Sequence, residues 1–395
     1  MKKLAIITTH PIQYYAPIFK LLSDRKKIEI CVFYTWGKDA LKDKFDKGFG
    51  KKIEWDIPLL EGYKYQFLEN IAEDKGSHHF KGIDNPIIIQ EIKNYNPDAI
   101  LVFGWSYKSH LKVIRHFKNK TPIWFRGDSH LLDEISFPKK IARKVFLTWL
   151  YSHIDKAFFV GTNNKNYYQQ AALNDKKLTF APHAIDNSRF KPTEKNTELA
   201  KQWRKELGIK ETELVWLFAG KFEPKKSPLL LLEAFIQRQN EKKEQEKNKE
   251  YLIFLGNGEL ENELKQKSES YQNIYFLPFQ NQSKMPIVYL LCDVFVLPSK
   301  GAGETWGLAI NEAMAAKKAV IASTKVGCAV DLIQSDKENN ENGFVFQSEN
   351  IESLKEAMNK IKSQQQAKEM GEISYQIIQN WSFEKIAEKL EDSFF

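Results

Sequence analysis

Short apolar runs alternating with longer amphipathic stretches constrain this chain more than any other feature. KLAIIT (3–8), IEICVFYT (28–35), AILVFG (99–104), PIWFRG (122–127) and KAFFVGT (156–162) are apolar through their middles and end in polar residues or glycine. Strands apolar on both faces belong inside parallel sheets covered by helices. Helical stretches at 16–24, 85–95, 106–119 and 138–153 separate them. The alternation predicts a doubly wound α/β domain. LTFAPHAIDNSRFKP (178–192) then supplies a strand, a turn and a proline-bearing link, and a short helix follows at 197–207.

Beyond that link the alternation restarts. ELVWLFAG (213–220), YLIFLG (251–256), IYFLPF (274–279), VFVLPS (294–299), AVIAST (319–324) and GFVFQ (343–347) read as a second set of strands. The expected division is 1–190, 191–375 and a closing amphipathic helix in 376–395, which packs on its own domain or crosses back to the first. Two Rossmann-like halves are expected to face a central cleft, because open sheets bind ligands at the carboxyl ends of their strands. QRQNEKKEQEKNKE (237–250) and DKENNEN (336–342) read as solvated insertions.

Composition narrows the class. The 395 residues suffice for two or three cores, and no apolar run approaches the length of a membrane span. The apolar start of MKKLAIITTHPIQYY is too short for a signal peptide. Cys31, Cys292 and Cys328 lie in strand-like contexts and read as buried thiols of a reducing, cytoplasmic compartment. A net charge of +8 suits nucleic acid, an anionic membrane or phosphorylated small molecules. Zinc-finger spacing, RNA-stacking signatures and helix-turn-helix punctuation are missing, so no nucleic-acid partner is expected.

The chemistry concentrates in two stretches of the second half. AGKFEPKKSPLLLLEAF (219–235) is a strand end, a turn at Gly220, two lysines and a helix start. A helix N-terminus favours anions, and Lys221 and Lys226 add point charges for a diphosphate. GAGETWGLAINEAMAAKKAVIAS (301–323) places Glu304 in a glycine-rich loop and Glu312 in a helix. Carboxylates accept hydrogen bonds from sugar hydroxyls, and the amides of Gly307 and Leu308 suit phosphate oxygens.

These residues resemble family 4 retaining glycosyltransferases of the GT-B fold. The resemblance covers about Ala181 to Leu390. APHAIDNSRF resembles the family's linker, with Asp186 as its aspartate; GKFEPKK resembles its basic segment and LGNGEL its second glycine-rich strand end. VFVLPS…ETWGLAINEAMA, with Trp306 inside it, resembles its glutamate signature. The resemblance implies that Lys221 and Lys226 hold the nucleotide diphosphate, that Glu304 meets the transferred sugar and that Glu312 binds the ribose.

The first half departs from the family pattern. At PIWFRGDSH (122–130), where the family places a histidine beside the reacting sugar, spacing puts Arg126 and Asp128, with His130 two residues later. Asp128 or His130 takes the active-site role, or Arg126 grips an anionic acceptor; the alternative for Asp128 is a helix cap. His10 and Gln13, with Tyr14 and Tyr15, follow the first strand and are expected on the acceptor side. His183 reads as structural, with a cleft position as the alternative. D-x-D and metal-spaced His/Cys clusters are missing, so neither a metal nor a further cofactor is expected.

FPKKIARKVFLTWLYSHI (137–154) is a basic amphipathic helix. It reads as a core helix with a lysine-rich outer face, or as a peripheral contact with an anionic membrane carrying a lipid-linked acceptor. The expected function is retaining transfer of a sugar from a nucleoside diphosphate to a hydroxyl of a saccharide or lipid-linked saccharide, in polysaccharide or glycolipid assembly. The alternatives are a nucleotide-sugar epimerase on the same fold and a non-catalytic sugar-nucleotide binder.

Overall fold

In the computed structural model, which describes residues 1–41, 44–46, 51–53, 56–242, 250–301, 303–335 and 340–395, each apolar run forms a strand. The centres of the two expected insertions, 243–249 and 336–339, lie outside the described residues. The chain divides into two compact units. Unit 1 comprises Met1–Lys42, Pro58–His183 and Ser382–Phe395, and unit 2 comprises Asp43–Ile57 and Ala184–Trp381.

The strands, in chain order, begin with β1 (Lys2–Thr8), β2 (Ile28–Tyr34), a two-stranded antiparallel ribbon of β3 (Lys44–Asp46) and β4 (Lys51–Ile53), and β5 (Tyr65–Phe67). β6 (Ala99–Phe103), β7 (Ile123–Arg126), β8 (Lys156–Phe159) and β9 (Leu178–Phe180) complete unit 1. Unit 2 continues with β10 (Leu214–Ala219), β11 (Glu250–Leu255), β12 (Ile274–Leu277), β13 (Val294–Leu297), β14 (Ala319–Ser323) and β15 (Gly343–Phe346). Unit 1's sheet runs β5-β2-β1-β6-β7-β8-β9 and unit 2's runs β12-β11-β10-β13-β14-β15. Every pairing in both is parallel. Each order starts in the middle, goes out one way and returns to go out the other, as in Rossmann folds. The reversal falls between β1 and β6 in unit 1 and between β10 and β13 in unit 2.

The crossovers in unit 1 are α1 (Ala16–Arg25), α2 (Ile88–Tyr95), α3 (Lys108–Phe117), α4 (Phe137–Tyr151) and α5 (Thr162–Gln170). In unit 2, α6 (Asn187–Phe190) and α7 (Glu194–Glu206) precede the sheet, α8 (Pro228–Glu241), α9 (Glu261–Lys267), α10 (Met285–Leu291), α11 (Leu308–Ala315) and α12 (Ala329–Leu332) connect its strands, and α13 (Ile351–Asn359) and α14 (Gln364–Ile378) follow it. The core of unit 1 joins Ile7, Phe33, Val102 and Phe125 of the sheet to Ile92, Ile114 and Leu147 of the helices. That of unit 2 joins Trp216, Phe218, Phe254 and Val296 to Leu231, Phe235 and Met358. Three cysteines are buried and free of disulfides.

The last helix, α15 (Phe383–Asp392), belongs to unit 1 and packs on α1. It buries Phe383, Ile386, Ala387 and Leu390. Arg25 donates from Nε and Nη2 to the two carboxylate oxygens of Glu391 at 2.7 and 2.8 Å, and the Phe394 ring lies 4.6 Å from that of Trp124.

Two expectations need correction. The chain leaves unit 1 after His183, earlier than residue 190, because α6 belongs with unit 2. Phe190 is fully buried there, and Asn187 donates to the carbonyls of Ile378 and Trp381. α4 buries only Leu147, Leu150 and Tyr151, so its outer face is not simply lysine-rich. No described helix is long and apolar enough to cross a membrane.

Candidate active site

In unit 2 the loops leaving β10 and β13 meet at the sheet's reversal point. A Cβ on Gly256, after β11, would lie 2.0 Å from the Gly220 carbonyl oxygen, so only glycine lets these two loops pass. The Gly220 amide donates to the Leu255 carbonyl at 2.9 Å. Lys221 is half-buried at the start of the loop, which turns through Pro224–Lys226 into α8. The Lys226 ammonium donates to a Glu304 carboxylate oxygen that also accepts from the Ser299 hydroxyl at 2.8 Å. The Lys300 amide donates to the Lys225 carbonyl at 2.9 Å and ties the two loops together. Lys226 and Glu304, remote in sequence, therefore form one polar cluster with Ser299.

Gly307 follows in the left-handed region with φ 96°, and a Cβ there would lie 2.7 Å from Val326 Cγ1. The chain can thus turn sharply into α11, whose first amides have no acceptor within the helix. Leu308 opens that helix, half-buried. Trp306 is buried, and its Nε1 donates to Asn311 Oδ1 at 2.9 Å, which braces loop against helix. Glu312 is only 3 % exposed and accepts from the Tyr289 hydroxyl at 2.8 Å.

In unit 1 a cavity of about 240 Å³ opens at the carboxyl ends of β1, β6 and β7. It is lined by Thr8, Thr9, Tyr15, Gly104, Trp105 and Asp128 among others. Tyr15 stacks on His183 with ring centroids 6.1 Å apart. Burial pushes the His183 imidazole down to about 4; the Asp128 carboxylate opposes this and Arg126 reinforces it. Burial, then the Asp128 charge, raises the Tyr15 phenol well above its ordinary value. His183 is therefore a neutral imidazole at neutral pH, beside a carboxylate. The β6 end is held by buried His110, whose Nδ1 donates to the Gly104 carbonyl at 2.9 Å and whose Nε2 meets Thr35 Oγ1 at 2.9 Å. Burial pushes this imidazole to about 4 as well.

Four expected residues make local contacts. Arg126 is buried with Nη1 and Nη2 on the carbonyls of Ala181 and Pro182, at 2.7 and 2.8 Å. It clamps the strand-end link and also lines the cavity. His130 accepts the Leu132 amide at Nδ1, 3.1 Å, in a local turn, and is not among the cavity's lining residues. His10 pairs with Thr9 Oγ1 at 2.9 Å and sets its ring edge-on to Trp36 at 5.1 Å. Gln13 is half-buried in the turn before α1, and neither it nor His10 lines the cavity. Asp128 caps no helix, since α4 begins after Ser136. Asp186 does cap one, accepting the Arg189 amide at 3.1 Å. Sequence reasoning read His183 first as structural. The signal that finds it is its place just after β9, at the carboxyl edge of the sheet.

One group of possible metal ligands is found among the described residues. Asp74, His78 and His79 bring ligand atoms within 4.8 Å of one another on a loop of unit 1. Lys226 and Glu304 belong to the other unit. A larger groove of about 930 Å³ follows α7 past Lys195, Glu198 and Lys205, and it contains none of these side chains.

Residues 200–377, which contain the Lys226–Glu304 cluster and α11, match the family model described as "Glycosyl transferases group 1". That stretch, under half of the chain, is similar to this family. A curated relative, the UDP-Gal:alpha-D-GlcNAc-diphosphoundecaprenol alpha-1,3-galactosyltransferase of Escherichia coli, is 26 % identical over 228 residues. That match covers 55 % of this chain and 54 % of the relative, so the chain spans about half the length of the curated relative it matches. The fold of the whole chain is that of solved GT-B glycosyltransferases. The Anabaena Alr3699/HepE structure in complex with UDP and glucose superposes with a TM-score of 0.68 at 18 % identity, covering 100 % of this chain and 99 % of that one. A sucrose-phosphate synthase from Thermosynechococcus elongatus gives 0.69 at 15 % identity, with coverage of 100 % and 98 %.

Proposed function

We propose that this protein transfers a sugar from a nucleoside diphosphate sugar to an acceptor hydroxyl, with retention at the anomeric carbon. The observation that carries the reading is the Lys226–Glu304–Ser299 cluster at the reversal point of unit 2, inside the stretch that matches the family model. Lys226, with Lys221 and the first amides of α8 and α11, supplies positive potential for a departing diphosphate. Glu304 accepts from hydroxyls of the transferred sugar, and Glu312, steadied by Tyr289, meets the ribose. Retention then needs no enzymic nucleophile: the acceptor attacks on the face the diphosphate leaves, and the leaving phosphate takes its proton. In unit 1, Asp128 and neutral His183 orient the acceptor hydroxyl, while Tyr15 and Trp105 offer rings to the apolar face of a saccharide.

The Escherichia coli relative is named for UDP-galactose and a diphosphoundecaprenol-linked acceptor, and the Anabaena structure holds UDP and glucose. UDP-galactose and UDP-glucose are therefore the first donors to try, with lipid-linked saccharides as acceptors in polysaccharide or glycolipid assembly. Nucleotide-sugar donors and free thiols fit a cytoplasmic location. The test is incubation with a panel of nucleotide sugars, with and without acceptors. Acceptor-dependent release of nucleoside diphosphate and an α-linked product from an α-linked donor are expected. An isomerised donor formed without acceptor would favour an epimerase, and donor binding without turnover would favour a binder.

A further inference from the structure

The loop of unit 1 between β5 and α2 holds Asp74, His78 and His79, which the catalytic reading does not use. His78 Nε2 lies 3.1 Å and His79 Nε2 3.2 Å from the same Asp74 carboxylate oxygen, Oδ2. Ligands about 2.0–2.1 Å from a tetrahedral zinc-type ion stand about 3.3–3.4 Å from one another. Both nitrogen–oxygen distances are thus already close to edges of such a tetrahedron. The third edge, between the two nitrogens, is at most 4.8 Å and closes by rotation of the rings.

The backbone makes the two rings converge. A Cβ on Gly76 would lie 2.4 Å from His78 Nδ1, so glycine there leaves room for that ring to fold back toward Asp74. The Gly76 amide donates to the Gly82 carbonyl at 3.0 Å, and the Gly82 amide donates to the His79 carbonyl at 3.2 Å. Asn70 Nδ2 donates to the same Gly82 carbonyl at 2.9 Å. The Tyr107 hydroxyl donates to the Ser77 carbonyl at 3.2 Å. The ligands therefore sit on a loop already tied into its bound shape, which lowers the ordering cost of binding.

The donor set selects the ion. Two imidazoles and a carboxylate suit zinc, cobalt, nickel or copper, whereas magnesium and calcium take oxygen ligands. Lys75, next to Asp74, pairs with Asp39 at 3.0 Å. With both rings neutral, as metal binding requires, the three side chains carry the single negative charge of Asp74. Asp74 and His78 are exposed and His79 is half-buried, so an ion enters from solvent and keeps water in its open position. We propose that Asp74, His78 and His79 form a binding site for a zinc-type divalent transition ion. Such an ion clips the 74–79 loop and takes no part in sugar transfer.

The test is equilibrium dialysis of the untagged full chain, first stripped with chelator, against zinc chloride and, in parallel, magnesium chloride. One zinc per chain is expected, with a raised melting temperature, and magnesium should not bind. Asp74→Asn, His78→Ala and His79→Ala should each weaken zinc binding roughly tenfold or more. Their zinc-free melting temperatures should match the parent's, because exposed ion pairs contribute little to stability. Gly76→Ala should weaken zinc binding with every ligand still present. The three atoms nearest its new Cβ all belong to the His78 ring, which must swing away. A chain that retains no zinc, magnesium bound as tightly as zinc, or zinc binding that survives in these variants would overturn the site.

Discussion

Lys226 and Glu304 share a proton-bearing contact, with Ser299 donating to the same carboxylate oxygen. The ammonium is thus held in place before any diphosphate arrives. Preorganised charge of this kind acts on the charge that develops as a bond breaks. Lys226→Ala is expected to lower turnover by about two to three orders of magnitude while leaving the fold intact, measured as acceptor-dependent nucleotide release; unchanged turnover would remove Lys226 from the mechanism. His110 and His183 carry a second prediction. Both imidazoles are pushed down to about 4 from an ordinary 6.5. Between those values the unfolded chain binds more protons than the folded one. Stability is therefore full above about pH 6.5 and is lost as the pH falls toward 4. Thermal melts should show this decline, amounting to a few kcal/mol, and His110→Asn should make it shallower. An identical slope in the variant would exclude His110 as a source.

At the scale of elements, the strands and most crossover helices were legible because both signals are local: apolar runs for buried parallel strands, and helical spacing between them. What was not legible depends on remote neighbours. β5 and the β3–β4 ribbon are three-residue strands, too short to show a pattern. The amphipathic spacing of α15 announced a helix with one apolar face but not that α1 would cover it. Arg126 and Asp128 were singled out as a break in the pattern, yet spacing could not say that the guanidinium would turn onto Ala181 and Pro182 while Asp128 stayed beside His183. Asp74, His78 and His79 are close in sequence, but they lie in a loop with no regular spacing to announce that their ligand atoms converge. Elements also fix two stability predictions. Leu390→Ala on α15 should cost about 2–5 kcal/mol in urea denaturation, because Leu390 is 2 % exposed. Gly307→Ala forces a side chain into a left-handed turn, costing about 1–3 kcal/mol, and pushes against Val326. It should also abolish the melting-temperature rise given by nucleoside diphosphates; a normal rise would show that the start of α11 is not part of the phosphate site.

For the molecule as a whole the deciding question is what neutralises a diphosphate. The chain has 59 basic against 51 acidic residues. In unit 2 the groups at the reversal point are Lys221, Lys226 and the amides that open α8 and α11. They fit the reading that fixed cations and helix dipoles do the work that a divalent ion does elsewhere. Among the described residues the one triad whose ligand atoms come within metal-binding distance is Asp74, His78 and His79, and it sits in unit 1, exposed, with each histidine already on the Asp74 carboxylate. On the lysine-and-amide reading that triad takes no part in holding the diphosphate. Transfer should therefore proceed at an unchanged rate in excess chelator, and His78→Ala with His79→Ala should leave turnover as it was. Complete loss of activity in chelator, restored by one divalent ion, would overturn the lysine-and-amide account; loss confined to the histidine variant would instead give the unit 1 loop a part in the reaction.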